Sequence, residues 1–199
     1  MYTPISLTKL TPDGVTISGS LYTFPGGRGK LTAPMENGTL CGVALDGDRW
    51  IAMDVTCTGA RSAVFSWFFS TADGRSCGVK MGVLAGIRTR IALPISVAEG
   101  KNLFLRRTPG KLKSVTQGAP IDYREAVTFT VRSESSVEDV TFRIESFGVY
   151  GEMPEFPVEK KTLVDELGQK ALTDWPGKTH SYEEMAERMN DTMRTSSSL

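Results

Sequence analysis

Val140-Thr141-Phe142-Arg143-Ile144-Glu145-Ser146-Phe147 decides the class of fold. Apolar and polar residues alternate along it with the period of a strand that rests one face on a core and turns the other to water. Val140, Phe142, Ile144 and Phe147 are assigned to the inner face, and Thr141, Arg143 and Glu145 to the outer one. Ala126-Val127-Thr128-Phe129-Thr130-Val131 alternates as cleanly. Further strands are expected at Val15 to Tyr22, Thr39 to Leu45, Trp50 to Cys57, Val64 to Ser70, Gly78 to Leu84 and Arg88 to Val97. Asp46-Gly47-Asp48 and Ala72-Asp73-Gly74-Arg75 supply turns, because Asp and Gly tolerate the backbone angles that tight reversals need. Within Arg88-Thr89-Arg90-Ile91-Ala92-Leu93, the two arginines and Ala92 share one face, and Pro94 marks an edge strand or a bend. About eight or nine short strands between turn signals predict an all-β fold, an antiparallel β-sandwich of the jelly-roll kind. The alternation of strand and helix that a dinucleotide-binding sheet needs is missing.

The length of 199 residues fits one domain and a tail. A (β/α)₈ barrel, at about 250 residues, does not fit. Lys+Arg and Asp+Glu both number 23, and this balance speaks against a nucleic-acid binder. A single histidine excludes metal centres built on several of them. Cys41, Cys57 and Cys77 form no C-x-x-C pair and are expected as buried thiols in strands. The most apolar stretch, Ala63 to Ser70, is too short to span a bilayer, and Met1-Tyr2-Thr3-Pro4 has no features of a signal peptide. The expectation is a soluble protein without a membrane partner, either cytoplasmic or cut from a secreted parent.

The composition shifts after Gly151, which divides the chain into a β domain at 1–151 and a junction segment at 152–199. Met153-Pro154-Glu155-Phe156-Pro157 reads as an extended linker, since each proline biases its predecessor away from helix. Ser181 with Glu184 forms a capping box that starts a short C-terminal helix, and Met185, Met189 and Met193 make an apolar stripe along it.

Neither a G-x-S-x-G elbow nor a phosphate loop is present. Gly26-Gly27-Arg28-Gly29-Lys30 is glycine-rich and basic, and its backbone N–H groups offer a minor alternative as an anion cradle; because it leads into no helix, the preferred reading is a flexible connector whose Arg28 and Lys30 lie within reach of a sugar or a neighbouring domain. His180 precedes the tail helix and is read as structural. Nothing in the spacing of Asp46, Asp48, Asp54, Glu145, Glu152 and Glu155 singles out a catalytic pair. No cofactor is expected; Asp46 and Asp48 flank a turn glycine and would contribute to a structural calcium site at most. The aromatic residues are more informative. Sugars stack their C–H faces on rings and offer hydroxyls to planar polar groups. In Phe65-Ser66-Trp67-Phe68-Phe69, alternation sets Phe65, Trp67 and Phe69 against Phe68, and one of these sets must fill the core. The residues assigned to ligand binding are Trp67, Trp50 and Arg90, followed by Tyr22 and Arg88. No catalytic residue is assigned.

Leu163-Val164-Asp165-Glu166-Leu167-Gly168-Gln169, then Asp174-Trp175-Pro176-Gly177-Lys178-Thr179, resembles the segment that leads into the catalytic barrel of β-agarase-like glycoside hydrolases. Ser181-Tyr182-Glu183-Glu184-Met185 is similar to the acidic helix that follows, and Arg107 to Ser114 with the turn Gly118-Ala119-Pro120-Ile121-Asp122 is similar to the preceding jelly roll. The resemblance implies an N-terminal domain like a carbohydrate-binding module. Its implied partners are a polysaccharide or oligosaccharide and the catalytic barrel of a parent enzyme. The family's acid and nucleophile lie in that barrel, so none is carried over to this chain. The expected function is a non-catalytic carbohydrate-binding or accessory module. The alternatives are a structural β-sandwich with no sugar site and a small jelly-roll hydrolase or lyase.

Overall fold

The computed structural model describes residues 1–46, 49–100, 111–135 and 137–154. Its strands are β1 (Tyr2–Pro4), β2 (Thr11–Asp13), β3 (Thr16–Ser18), β4 (Leu21–Phe24), β5 (Lys30–Glu36), β6 (Thr39–Leu40) and β7 (Val43–Ala44). There follow β8 (Trp50–Cys57), β9 (Ala63–Thr71), β10 (Ser76–Val83), β11 (Arg88–Pro94), β12 (Lys111–Gly118), β13 (Ala126–Ser133) and β14 (Val140–Tyr150). They form two antiparallel sheets. One runs β11-β8-β14-β4-β3, with β1 also paired to β14. The other runs β12-β10-β9-β13-β5-β6-β7, with β2 also paired to β5. The chain changes sheet between β1 and β2, β2 and β3, β4 and β5, β7 and β8, β8 and β9, β10 and β11, β11 and β12, and β13 and β14. The order β4-β14-β8-β11 facing β5-β13-β9-β10 is that of a jelly roll, with β12 added at one edge. The expected all-β sandwich is therefore the observed one.

Alternation fills the space between the sheets. Ile51, Met53, Val55 and Cys57 come from β8, and Phe65, Trp67 and Phe69 from β9, all without measurable exposure. Trp67 packs edge-on to Phe129, with ring centroids 5.4 Å apart. Phe68, on the opposite side of β9, is half-buried on the outer face. Arg88 and Arg90 point outward while Thr89, Ile91 and Leu93 point in, and β11 is an edge strand, as Pro94 suggested.

One irregularity sets the outer surface. The β14–β8 register steps from Ile144 opposite Val55 to Ser146 opposite Asp54, leaving Glu145 as an extra residue. Such a bulge shifts the phase of the strand by one position. It turns Phe147 and Val149 into the core, and Ser146, Gly148 and Tyr150 to the other face.

Several expected elements differ in detail. Val15 to Tyr22 is not one strand but a hairpin of β3 and β4, broken at Gly19, whose φ is +60°. Thr39 to Leu45 is likewise split into β6 and β7 by Cys41-Gly42, with φ of +52° and +86°, a pair suited to a two-residue hairpin turn. Cys41 is thus a half-buried turn residue rather than a strand thiol, whereas Cys57 and Cys77 are buried in strands; all three are free. Arg88 to Val97 leaves the strand at Pro94 and ends in a 3₁₀ turn at Ile95–Val97. Strands β1, β2, β5 and β12 lie outside the expected elements. The linker beyond Pro154, the junction motif and the Ser181 helix lie outside the described residues. Among the described residues, no helix is long and apolar enough to cross a membrane.

Candidate functional site

The outer face of the sheet containing β8 gathers three of the five residues assigned from sequence. Trp50, Ala52, Asp54 and Thr56 point outward from β8, because their neighbours Ile51, Met53, Val55 and Cys57 fill the core. Antiparallel register places Pro94, Ala92, Arg90 and Arg88 of β11 directly beside them. On the other flank the bulged half of β14 brings Tyr150 opposite Trp50, Gly148 opposite Ala52 and Ser146 opposite Asp54. Strand β1 extends the first row with Tyr2 opposite Tyr150. The face therefore has an aromatic row of Trp50, Tyr150 and Tyr2, a floor of Ala52, Ala92 and Gly148, and a charged row beyond. Trp50 and Asp54 are four residues apart, about 13 Å along an extended strand.

The small floor lets the large groups lie flat. A Cβ on Gly148 would come within 2.5 Å of the Tyr2 ring, so that ring rests on bare backbone. Tyr2 stacks on Tyr150 with centroids 4.4 Å apart, and its hydroxyl donates to the Phe147 carbonyl at 3.2 Å. The Arg90 guanidinium stands 5.5 Å from the centroid of the Tyr150 ring, within cation–π range. Burial, helped by the neighbouring Tyr150 and by the Asp54 charge, pushes the Tyr2 phenol upward and keeps it a hydrogen-bond donor.

Asp54 organises the charged row. Its carboxylate is buried, with 2% side-chain exposure, and receives Arg90 Nε at 2.6 Å on Oδ1 and Arg90 Nη2 at 2.8 Å on Oδ2. Arg88 Nη2 adds a bond to Oδ2 at 3.0 Å, and Arg88 Nε reaches Glu145 at 2.8 Å. Burial by itself would raise the Asp54 carboxyl. The Arg90 hydrogen bond and charge, with hydrogen bonds from Arg88 and Ser146, outweigh it and hold the group below the usual carboxylate range. Asp54 is thus a fixed anion that aims two guanidinium groups, the reverse of a general acid. Asp73 and Glu134 are likewise held below the ordinary carboxylate range.

Trp67 and Tyr22 do not join this face. Trp67 is wholly buried between the sheets, and Tyr22 is 4% exposed on the core side of β4. Both follow the inward phase of their strands, so neither offers a ring face to a ligand as expected. Tyr22 instead lines a groove with Leu7, Leu10, Ile17 and Ile144 beside the β3–β4 hairpin. Sequence reasoning missed Tyr2, Tyr150 and Asp54. Unbroken alternation in β14 gives Tyr150 the wrong face, and only the bulge corrects it. Asp54 was noted as a carboxylate, and its signal lay in the Arg88-x-Arg90 spacing on the neighbouring strand. Asp46 pairs with Arg49 at 3.0 Å, and Asp48 lies outside the described residues. Among the described residues, no group of three or more His, Cys, Asp or Glu is arranged to hold a metal.

No family model matches the sequence, and no curated protein matches it. Solved structures do match the fold. The chain is similar to part of an agarase, AgWH50C, with a TM-score of 0.57 at 9% identity over 90% of this chain and 32% of that one. It is also similar to part of an exo-β-agarase, with a TM-score of 0.50 at 17% identity over 96% of this chain and 29% of that one. A structure titled PfGH50B matches with a TM-score of 0.53 at 15% identity over 92% of this chain and 28% of that one. The chain shares its fold with a portion of these proteins. It spans less than a third of the length of each.

Proposed function

We propose that the chain is a non-catalytic carbohydrate-binding module that serves a glycoside hydrolase, and that the outer face built on β8 is its sugar platform. The observation that carries this reading is the convergence of Trp50, Tyr150 and Tyr2 with the Asp54-anchored Arg90 and Arg88 on one sheet face. Rings supply the stacking surface, and guanidinium groups held in fixed orientation supply hydrogen bonds to hydroxyl groups. Because their anchor is internal, the arginines lose little freedom on binding. The fold-level likeness to parts of agarases supports the assignment to a polysaccharide-degrading parent, whose catalytic barrel would be the partner of this module. Tethering a module of this kind to a catalytic domain raises the local substrate concentration.

The test is a glycan-array screen of the purified chain with and without calcium, followed by calorimetry on each hit. Saturable binding to a polysaccharide that weakens on Trp50→Ala supports the reading. A folded chain that binds no marine, plant or bacterial polysaccharide overturns it in favour of a purely structural sandwich.

A further inference from the structure

The glycine-rich loop between β4 and β5 is not the flexible connector that its sequence suggests. The Gly26 N–H donates to Asp139 Oδ1 at 3.2 Å, and the Gly27 N–H donates to the Ser135 carbonyl at 2.6 Å. A Cβ on Gly29 would meet Pro25 Cδ at 2.6 Å, and one on Gly26 would press on the Val137 backbone at 3.0 Å. Glycine is needed here for close approach. The fitted loop holds Arg28 at the rim of a cleft of about 330 Å³ that Lys30, Arg132 and Glu134 also line.

The charges of this cleft do not balance. Arg132 and Lys30 stand directly opposite each other across the β13–β5 register, an arrangement of like charges that costs a sheet stability. Lys30 has a surface contact to Asp13 at 3.3 Å, with both groups well exposed. Arg132 gives its Nε to Glu134 at 2.6 Å, while its terminal nitrogens have no partner among the described residues. Arg28 has no side-chain partner among the described residues either. Glu134 is already shared with Lys80 at 2.6 Å and with the Ser66 hydroxyl at 2.7 Å. The Arg132 guanidinium also lies 4.7 Å from the centroid of Phe68, the ring left on the outer face of β9. A basic cleft thus adjoins a flat step of ring and guanidinium, on the sheet opposite the Trp50 platform.

We infer that this cleft is a second ligand site, which takes a carboxylate or sulfate group carried by a saccharide whose ring lies along the Phe68–Arg132 step. A bound anion would relieve the Arg132–Lys30 repulsion and occupy the nitrogens that the fold leaves open. The choice of a glycan as carrier rests on the proposed function; the anion site itself does not. Three cations and a zero net charge make too small a footprint for nucleic acid.

The test titrates the full chain, at low and high salt, with a neutral agaro-oligosaccharide, an oligogalacturonate, a sulfated carrageenan oligosaccharide, sodium sulfate and a short single-stranded DNA. One or both acidic oligosaccharides should bind more tightly than the neutral one and weaken with salt; which of them binds tells carboxylate from sulfate. Arg28→Ala and Arg132→Gln should each lower that affinity roughly tenfold, the loss of one charge-assisted hydrogen bond. Arg28 is exposed, so its replacement leaves the fold intact. Equal binding of neutral and acidic sugars overturns the inference, as does indifference to Arg28→Ala. Sulfate or DNA binding as tightly as the acidic oligosaccharide also overturns it. If no neutral sugar binds but Arg28-dependent acidic binding persists, the Trp50 platform fails and this site stands.

Discussion

Arg90 faces Asp54 directly across the β11–β8 register and grips both carboxylate oxygens, at 2.6 and 2.8 Å. With side-chain exposures of 17% and 2%, the pair lies where water can replace neither partner fully. Asp54→Asn keeps the shape and removes the charge, stranding Arg90 and weakening Arg88. Breaking a buried pair on one side costs about 3–5 kcal/mol, and the partial exposure of Arg88 places this variant near about 3 kcal/mol. Urea unfolding should show the loss as a lower midpoint at unchanged slope. Any sugar affinity of the face should fall with it, because the guanidinium groups lose their aim.

The two tryptophans, on β8 and β9 in opposite sheets, should behave in opposite ways. Trp67 is buried against Phe129, and its indole N–H has no hydrogen-bond partner among the described residues. Trp67→Phe removes volume but no hydrogen bond, and should cost less than the roughly 3–5 kcal/mol expected for truncation to Ala. Trp67→Phe should leave ligand affinity unchanged. Trp50→Ala should barely move stability but lower sugar affinity by about 1–3 kcal/mol, the usual worth of a stacking ring. Denaturation and calorimetry on both variants check the contrast. A Trp67→Phe protein that is stable but fails to bind would return Trp67 to the site.

The sandwich was legible because β8, β9, β11, the part of β13 from Thr128 onward and the first half of β14 alternate without a break, and a strand of that kind can bury only one of its faces; at the start of β13 an irregularity buries Ala126 and exposes Val127. Trp50, Arg88 and Arg90 followed from the same phase, since the apolar residues between them had to point inward. What escaped the sequence reading were departures from period two. Gly19 and Cys41-Gly42 look like strand interior until the hydrophobic phase is tested across them. β5 escaped because Pro34 sits within it; the chain tolerates Pro34 on the outer side of that strand. Tyr150 escaped because a bulge leaves no mark in composition. Tyr2 escaped because a three-residue N-terminal strand is held by its partner β14 rather than by its own pattern.

Acid should weaken the Glu134 cluster on the outer face of the other sheet. Burial alone would raise Glu134, but hydrogen bonds from Lys80, Ser66 and Arg132 outweigh it and hold its carboxyl at about 2, against an ordinary value of 4.5. Between those values the unfolded chain binds a proton that the folded chain does not, so stability rises with pH across that window. The contribution is complete above the ordinary carboxylate range and disappears as pH falls through the folded value. Asp54 acts in the same direction. Glu134→Gln should lower stability at neutral pH and flatten the slope of stability against pH in the window. Unfolding curves between pH 2 and 6 would read both effects; an unchanged slope would mean that Glu134 is solvated as in the unfolded chain.

The bulge at Glu145 keeps Tyr150 beside Trp50 by absorbing one residue. Glu145 is the extra position between Ile144, opposite Val55, and Ser146, opposite Asp54. Deleting it should restore regular pairing with both of those partners kept, so that Phe147 and Val149 stay in the core and Ser146 and Tyr150 stay on the outer face. Phe147 stacks on Phe129 with centroids 5.9 Å apart, and the burial of Phe147 and Val149 holds this register. The deletion should therefore fold, with its near-ultraviolet circular dichroism kept. Glu145→Ala keeps the bulge and removes only the exposed contact to Arg88. It should fold normally, within about 1 kcal/mol of the parent. A deletion variant with molten packing would show that β14 needs the local twist of the bulge and not its register alone.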